Sequence, residues 1–350
     1  MSNKSINKFI IRTIIAAIPL IIIVATYLII DPFKVVRYYY PYFEPRTWET
    51  WLGWNKNWVS VTTYEQGRET YKYDSFIFGS SISIAYKTDE WKKYLPSNAS
   101  PFHFDGTEED LKGILDKMQY IDKLNDTIKH ALIIIEPKTF TNRPTKKFLR
   151  YTPPQIGGCN TYLDFHYTYF RQFINSDFLK SYIPFMITGE PIKYGINDIF
   201  PRQQLLYNKI TNEEGLELME GAIDKNPDSA YLENGMAKFP IHKLHYCQPL
   251  INDTLQSHLT KISKLLKKHN SDYYIVFGPN RKRELIHPYD QKILSEIFIP
   301  ERIYRYTAID TITDDKPYFY DNNHYRTFVC SAILDSIYNN QSSKAAIAAE

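Results

Sequence analysis

The sequence predicts an α/β fold, a three-layer α/β/α sandwich with a mainly parallel sheet. Short continuous apolar runs, each bounded by turn residues, alternate along the chain with longer stretches whose apolar residues recur at helical spacing. Continuous apolar strands are typical of a parallel sheet that helices cover on both faces. An apolar N-terminal helix precedes this domain, and a mostly helical insertion interrupts it.

The predicted strands and helices follow one another in a regular order. Buried strands are expected over residues 75–78, 131–136, 273–278 and 303–309. Helices are expected over residues 82–94, 111–124 with Thr107 as the N-cap, 255–266 and 327–338. Residues 144–249, with helical stretches near 169–182 and 213–223, depart from this order and are interpreted as an insertion over the ligand edge of the sheet.

These patterns divide the chain into four consecutive parts. They are a tail and transmembrane anchor (1–31), an aromatic juxtamembrane segment (32–73), the α/β domain with its insertion (74–340) and a disordered Ser/Ala-rich tail (341–350).

The anchor is predicted from an uncharged apolar run over residues 13–30. A helix needs about 20 apolar residues to cross a bilayer core, and extending the run back to Phe9 adds only Arg12, which can reach the interface. Lys4, Lys8 and Arg12 precede the run without an acidic residue, which favours a cytoplasmic N-terminus. Residues 9–30 are therefore expected to contact the lipid bilayer; a cleaved signal peptide and a buried core helix are the alternatives.

Aromatic residues are concentrated directly after the anchor. Trp48, Trp51 and Trp58 would share one face of a helix, and Trp and Tyr favour the membrane–water interface. The segment is interpreted as an interfacial helix, with core packing and sugar stacking as the alternatives.

Composition excludes several classes of function. The formal net charge of +3 argues against a nucleic-acid partner, and no glycine-rich phosphate loop or other organic-cofactor motif occurs. Cys159, Cys247 and Cys330 lack metal-ligand spacing, so no metal site is expected. Either Cys159 pairs with Cys247 in an oxidising compartment, or all three are free thiols.

Ser81 is the candidate nucleophile. It follows the first predicted strand and Gly79, in the sequence Phe-Gly-Ser-Ser. Open α/β sheets place ligands at the carboxyl ends of their strands, and the amides of a following helix would stabilise negative charge.

Asp321 and His324 are the candidate helpers of Ser81. Histidine suits the task of general base, and a carboxylate three residues away on the same loop can fix its tautomer and stabilise the imidazolium. The pair lies after the last predicted strand and just before the final helix. Glu284 and His287, after the third strand, form a second pair of this spacing and are the backup candidate. The other seven histidines are assigned structural or surface roles.

The order of these motifs resembles the SGNH/GDSL hydrolase superfamily. Gly79-Ser80-Ser81 is similar to its Gly-Asp-Ser-like block, Gly106 to the glycine after its second strand, and Asp321 with His324 to its C-terminal Asp-x-x-His. The resemblance covers residues 74–340 apart from the insertion, and it implies an SGNH-like, flavodoxin-like sandwich. It also implies an oxyanion hole that includes the N–H groups of Ser81 and Gly106.

The chain departs from the family pattern after the family's third strand, which corresponds to the predicted strand over residues 131–136. The usual Gly-x-Asn-Asp block is absent, and the chain has Glu136-Pro137-Lys138 followed by Thr139 and, three residues later, Asn142. Asn142 and Thr139 are the candidates for the missing oxyanion donor.

Phe-Gly-Ser-Ser on a membrane anchor looks like bacterial cell-envelope acyl-transfer proteins. That likeness implies a serine esterase or O-acyltransferase on the outer side of the inner membrane. Its expected partners are an acylated glycan or acyl donor and a membrane-bound O-acyltransferase. Two alternatives stay open: a non-catalytic glycan-binding or scaffolding protein of the same fold, and an anchored α/β domain in which Ser81 and His324 never meet.

Overall fold

The computed structural model describes residues 3–39, 54–141, 151–157, 161–188, 206–233, 242–307, 318–321 and 323–347. The helices are α1 (Asn3–Ile30), α2 (Lys56–Tyr71), α3 (Thr88–Lys92), α4 (Leu111–Lys123), α5 (Tyr162–Phe173), α6 (Ser176–Thr188), α7 (Glu217–Lys225), α8 (Pro227–Glu233), α9 (Asp253–Lys268), α10 (Pro288–Ile297) and α11 (Thr327–Ile347). The strands are β1 (Ser75–Phe78), β2 (Pro101–His103), β3 (His130–Ile135), β4 (Leu206–Tyr207), β5 (Glu214–Gly215), β6 (His245–Tyr246), β7 (Asp272–Phe277), β8 (Glu284–Leu285) and β9 (Ile303–Arg305).

Five parallel strands form the central sheet, in the order β2-β1-β3-β7-β9. From β1, the next strand in sequence, β2, lies on one side in the sheet, whereas β3, β7 and β9 follow on the other side. The strand order therefore reverses between β1 and β3. In an open parallel sheet, ligands bind beyond the carboxyl ends of the strands at such a reversal. Ser81 follows β1 directly and therefore lies at this position.

Alternate side chains of each strand are buried on opposite faces of the sheet. Phe76, Ile133 and Ile275 belong to one apolar cluster, which includes residues of α4, α9 and α10. Ile77 and Leu132 belong to a second cluster, which includes residues of α7 and α11. Burial on both faces explains why these strands are continuously apolar rather than alternating.

The predicted α/β class and mainly parallel sheet are confirmed, with several local differences. β2 was not predicted, because its three residues begin with a proline and make no apolar run. The predicted helix over residues 82–94 is instead a 3-10 turn, Ser81–Ala85, followed by the short α3.

Three other helical predictions also differ from the structure. Asp110, not Thr107, caps α4, since its side chain accepts a hydrogen bond from the N–H of Gly113. The stretch predicted near 169–182 is divided into α5 and α6, and the side chain of Asn175 accepts from the N–H of Asp177 at the break (2.9 Å). The final helix, α11, runs to Ile347 and includes most of the expected tail.

An apolar stretch of α1, Ile6–Ile30, is long and apolar enough to span a membrane, and a signal segment has the same character. The C-terminal end of α1 joins a third apolar cluster through Tyr27, together with Trp58 of α2 and residues of α5 and α6. Trp58 is buried there, whereas Trp48 and Trp51 of the predicted interfacial helix lie outside the described residues.

The cysteines do not form a disulfide within the described part of the chain. Cys247 and Cys330 are buried free thiols. Cys159 lies outside the described residues.

Candidate active site

The turn after β1 presents Ser81 at the carboxyl edge of the sheet. Ser81 is the first residue of the 3-10 turn and is partly exposed. Gly79 permits the turn to pack closely: a Cβ at this position would lie 2.9 Å from the Cβ of Ser83 and 3.0 Å from the carbonyl oxygen of Ile134. Both distances are shorter than ordinary packing contacts, so a larger residue would push the nucleophile turn away from β3.

Ser81, His324 and Asp321 are in direct hydrogen-bonding contact. The Oγ of Ser81 is 2.9 Å from Nε2 of His324, and Nδ1 of His324 is 2.8 Å from Oδ2 of Asp321. With Nδ1 donating to the carboxylate, Nε2 is left to accept the hydroxyl proton of Ser81. Residues 243 positions apart in sequence thus form the nucleophile–base–carboxylate arrangement of serine acyl-transfer enzymes.

Backbone hydrogen bonds fix the loop that carries the base. Oδ1 of Asp321 accepts from the N–H groups of Asn323 (2.7 Å) and His324 (2.9 Å). The N–H of Tyr320 donates to the carbonyl oxygen of His324 at 2.7 Å, which closes the turn. Asp321 therefore shapes the loop with one oxygen and orients the imidazole with the other.

The carboxylate also sets the charge state of the base. Burial on its own would lower the pKa of His324, but the hydrogen bond and charge of Asp321, aided by the charge of Glu136, raise it above the ordinary value. Burial would likewise raise the pKa of Asp321, yet its hydrogen bonds to His324 and to backbone N–H groups hold it below the ordinary value. Asp321 is therefore ionised over the pH range in which His324 titrates, and its charge favours the protonated form of the imidazole.

The predicted oxyanion donors differ in their availability. The N–H of Ser81 donates to no group in the described part of the chain and stays available. The N–H of Gly106 donates to the carbonyl oxygen of Gly79 (3.2 Å), because the chain after β2 continues the parallel ladder with β1. Gly106 therefore does not direct this donor at the site in the present geometry.

Of the two predicted substitutes for the missing family block, only Thr139 lies within the described residues, and its backbone N–H is not available. Thr139 is buried, its N–H donates to the carbonyl oxygen of Glu136 (2.9 Å), and its hydroxyl accepts from the N–H of Glu136 (3.1 Å). Its backbone donor is thus used within its own turn. Asn142 lies outside the described residues.

A small cavity of about 130 Å³ adjoins Ser81 and His324, and charged side chains line it. Two of them, Glu136 and Lys138, follow β3 and were not predicted as site residues. Burial raises the pKa of the Glu136 carboxyl, although Lys138 and His324 oppose the shift. A charged residue immediately after a parallel strand was the available signal, since such positions lie at the ligand edge.

A second serine–histidine contact lies behind the first. The Oγ of Ser83 is 2.9 Å from Nε2 of His103, and both side chains are buried. The hydroxyl of Ser83 donates to the carbonyl oxygen of Ser80 (2.7 Å), so Nε2 of His103 must be the donor in the other contact. Burial lowers the pKa of His103 to about 3, and the neutral ring braces the nucleophile turn instead of activating a nucleophile.

Glu284 and His287, the backup pair, do not form a hydrogen bond like that between Asp321 and His324. Nδ1 of His287 accepts from the N–H of Tyr289 (3.2 Å) and caps α10. Glu284 lies in β8, and its N–H donates to the side chain of Asn280 (3.1 Å). Among the contacts of the described residues, none joins Glu284 to His287.

Neither a metal site nor a similarity to known proteins adds to the description of this site. In the described ranges, no group of three or more His, Cys, Asp or Glu side chains is placed to hold a metal ion. No protein-family model matches the chain, and no curated protein matches it significantly.

Proposed function

We propose that this chain is a membrane-anchored serine esterase or O-acyltransferase that acts on an acyl ester of a cell-envelope glycan. The observation that carries the proposal is the continuous contact from Ser81 Oγ through His324 to Asp321. Serine hydroxyls are poor nucleophiles until an adjacent base takes their proton, and this contact supplies such a base.

The proposed reaction has two steps. Ser81 Oγ attacks the acyl carbonyl carbon while Nε2 of His324 takes the hydroxyl proton, and the Ser81 N–H donates to the developing oxyanion. Collapse of the intermediate expels the donor alcohol, which receives the proton from His324 and leaves an acyl-serine. Water or a sugar hydroxyl then loses its proton to His324 and attacks the acyl carbon. Collapse of this second intermediate breaks the bond between the acyl carbon and Ser81 Oγ, which takes the proton back from His324, and the result is hydrolysis or transfer respectively.

Fold and anchor support the cell-envelope part of the proposal. The strand order and the apolar clusters on both sheet faces agree with a flavodoxin-like three-layer sandwich of the SGNH type. The proposed location is a bacterial inner membrane, with α1 as a single span and the catalytic domain on the outer side. A membrane-bound O-acyltransferase is the proposed source of acyl groups.

Pre-steady-state hydrolysis of p-nitrophenyl acetate by the detergent-solubilised full-length protein tests the proposal. We expect a burst of p-nitrophenol equal to the enzyme concentration, which Ser81→Ala abolishes. Ser80→Ala is the matched control, because Ser80 is the neighbouring buried serine and makes no hydrogen bond with His324. Equal bursts from the wild type and Ser81→Ala would reject Ser81 as the nucleophile.

A non-catalytic scaffold of the same fold is the second candidate. The observation that favours it is the engaged N–H of Gly106, which leaves the site with fewer oxyanion donors than the family arrangement has. Cells that carry Ser81→Ala would distinguish the two candidates. If the Ser81→Ala strain keeps envelope acylation and the gene-deletion strain loses it, the scaffold is favoured. If both strains lose acylation, catalysis is favoured.

A further inference from the structure

Helices α5 and α6 expose large apolar side chains that the domain core does not use. We call this set the apolar ridge; it consists of Leu163 and Tyr167 on α5, Ile174 directly after α5, and Ile183, Met186 and Ile187 on α6. Ile187 is 80% exposed and Leu163 is 78% exposed. The second half of α6, residues 181–188, contains no charged residue.

The inward faces of the same two helices are also apolar. Phe165 and Tyr169 of α5 and Phe178 and Tyr182 of α6 are buried in the third apolar cluster. The ridge is therefore a second apolar face, on the side of the hairpin that turns away from this cluster. Soluble surface helices have one apolar stripe, and helices that are apolar on both sides are typically enclosed by protein or by lipid.

Contacts with α1 place the hairpin at the end of the proposed membrane span. The ring of Tyr27 lies 5.6 Å from that of Phe170 and 5.5 Å from that of Phe173. Tyr27 precedes the last residue of α1, Ile30, by three residues, or about 4.5 Å of helical rise. The hairpin thus lies at the level where the apolar helix ends.

The chain that leaves α1 is held at that position. The buried carboxylate of Asp31 accepts hydrogen bonds from the N–H groups of Val35 (2.9 Å), Val36 (3.1 Å) and Arg37 (3.1 Å). The anchor therefore meets the hairpin through a fixed turn.

The start of α2 connects the hairpin to the active-site edge of the sheet. The side chain of Asn55, the N-cap of α2, donates to the hydroxyl of Tyr169 in α5 (2.7 Å). One turn later, Ser60 donates to the carbonyl oxygen of Asp105, just after β2 (2.8 Å). The hairpin and the carboxyl ends of the strands are thus on the same end of the domain.

We propose that the apolar ridge inserts into the bilayer interface at the C-terminal end of α1, so that the active-site edge faces the membrane surface. Lipid is the favoured occupant because the hairpin that carries the ridge packs against Tyr27 near the end of α1, and the neighbouring Ile29 is itself 72% exposed. Arg171, exposed beside the ridge, can extend its charge to the headgroups, whereas Lys180 lies 3.7 Å from the carboxylate of Asp177. The inference depends on the proposed membrane span of α1 and is independent of the Ser81 chemistry.

Site-directed spin labelling of the full chain tests this insertion. The protein carries Cys159→Ser, is reconstituted in nanodiscs of phosphatidylcholine and phosphatidylglycerol, and is labelled in turn at Leu163→Cys and Ile187→Cys. Collisions with oxygen, which concentrates in lipid, are compared with collisions with a water-soluble nickel chelate. Both ridge labels should collide more with oxygen than with the chelate.

Two further labels make the result unambiguous. Ile299→Cys is the matched exposed control, because Ile299 is 49% exposed and its N–H donates to Tyr273 at the start of β7, on the opposite edge. This label should favour the chelate. Ile21→Cys reports on the span, since Ile21 is 59% exposed in the middle of α1.

The outcomes separate the two proposals. Chelate-accessible ridge labels together with an oxygen-accessible label at Ile21→Cys overturn the insertion and leave the anchor intact. Ridge labels that neither reagent reaches also overturn it, because a protein or a second copy would then cover the ridge. A chelate-accessible label at Ile21→Cys overturns the anchor and the insertion together.

Discussion

Replacement of Asp321 by asparagine separates the electrostatic role of this residue from its structural role. The amide oxygen of Asn can still accept from the N–H groups of residues 323 and 324, so the loop keeps its shape. The amide nitrogen then faces Nδ1 of His324 and donates to it. This contact moves the imidazole proton to Nε2, where it opposes the hydroxyl of Ser81.

A wrongly protonated imidazole cannot take the proton of Ser81. The corresponding change in a serine protease lowers kcat by about 10⁴-fold, or about 5 kcal/mol of transition-state stabilisation. We expect a loss of this order here, because the contact at Nδ1 is equally direct at 2.8 Å. Circular dichroism and the unfolding midpoint should be close to those of the wild type.

The pH dependence of kcat/KM gives an independent readout. The wild type should lose activity as the pH falls through the pKa of His324, which lies above the ordinary histidine value because of Asp321. Asp321→Asn removes the larger of the two influences that raise the pKa of His324. The acid limb of the kcat/KM profile should therefore move to lower pH, and the plateau value of kcat/KM should fall.

Ester hydrolysis by full-length protein in detergent, measured from pH 5 to 9, supplies both quantities. Asp224→Asn is the control, since Asp224 is an exposed carboxylate 3.0 Å from Arg326, outside the triad. It should match the wild type. A plateau for Asp321→Asn within tenfold of the wild type, with an unmoved acid limb, would refute the assigned role.

Three further perturbations test the site and its support. Gly79→Ala should lower the free energy of unfolding in urea by about 1–3 kcal/mol and reduce esterase activity, because the added Cβ meets Ser83 and β3. The control Gly221→Ala should do neither, because its added Cβ lies in open space. Glu136→Gln should shift the acid limb to lower pH by less than Asp321→Asn, because the charge of Glu136 raises the pKa of His324 through space only; an unchanged limb would exclude this coupling. Lys117→Met should lower the free energy of unfolding by about 3–5 kcal/mol, because it leaves the buried Glu109 carboxylate without its ion pair. The added change Glu109→Gln should recover part of that loss in the same urea unfolding assay. Equal stability of the single and double variants would contradict the pairing.

The central sheet was predictable because its strands have a simple pattern. β1, β3 and β7 are buried on both faces and read as continuous apolar runs in the sequence. β2 was not predictable, because its partners are set by parallel pairing with β1 and its three residues form no run. The 3-10 turn after Ser80 was also missed, since local apolar spacing does not distinguish it from an α-helix.

The site was predictable only in part for a related reason. Ser81, Asp321 and His324 belong to short motifs at the ends of elements, where type and spacing indicate chemistry. The oxyanion donors are backbone groups, whose availability depends on which carbonyl each N–H meets after folding. Gly106 illustrates the point, because the continuing ladder with Gly79 uses the N–H that the motif suggested would be free.

The activation of Ser81 by His324 is tested most directly by covalent trapping. Full-length protein in detergent is treated with a fluorophosphonate, digested, and analysed by mass spectrometry to locate the adduct. The 2.9 Å contact predicts one adduct, on the Ser81 hydroxyl, lost in His324→Ala and retained in Ser80→Ala. An unmodified Ser81 peptide in the wild type, or equal labelling of Ser81 in wild type and His324→Ala, would contradict the account.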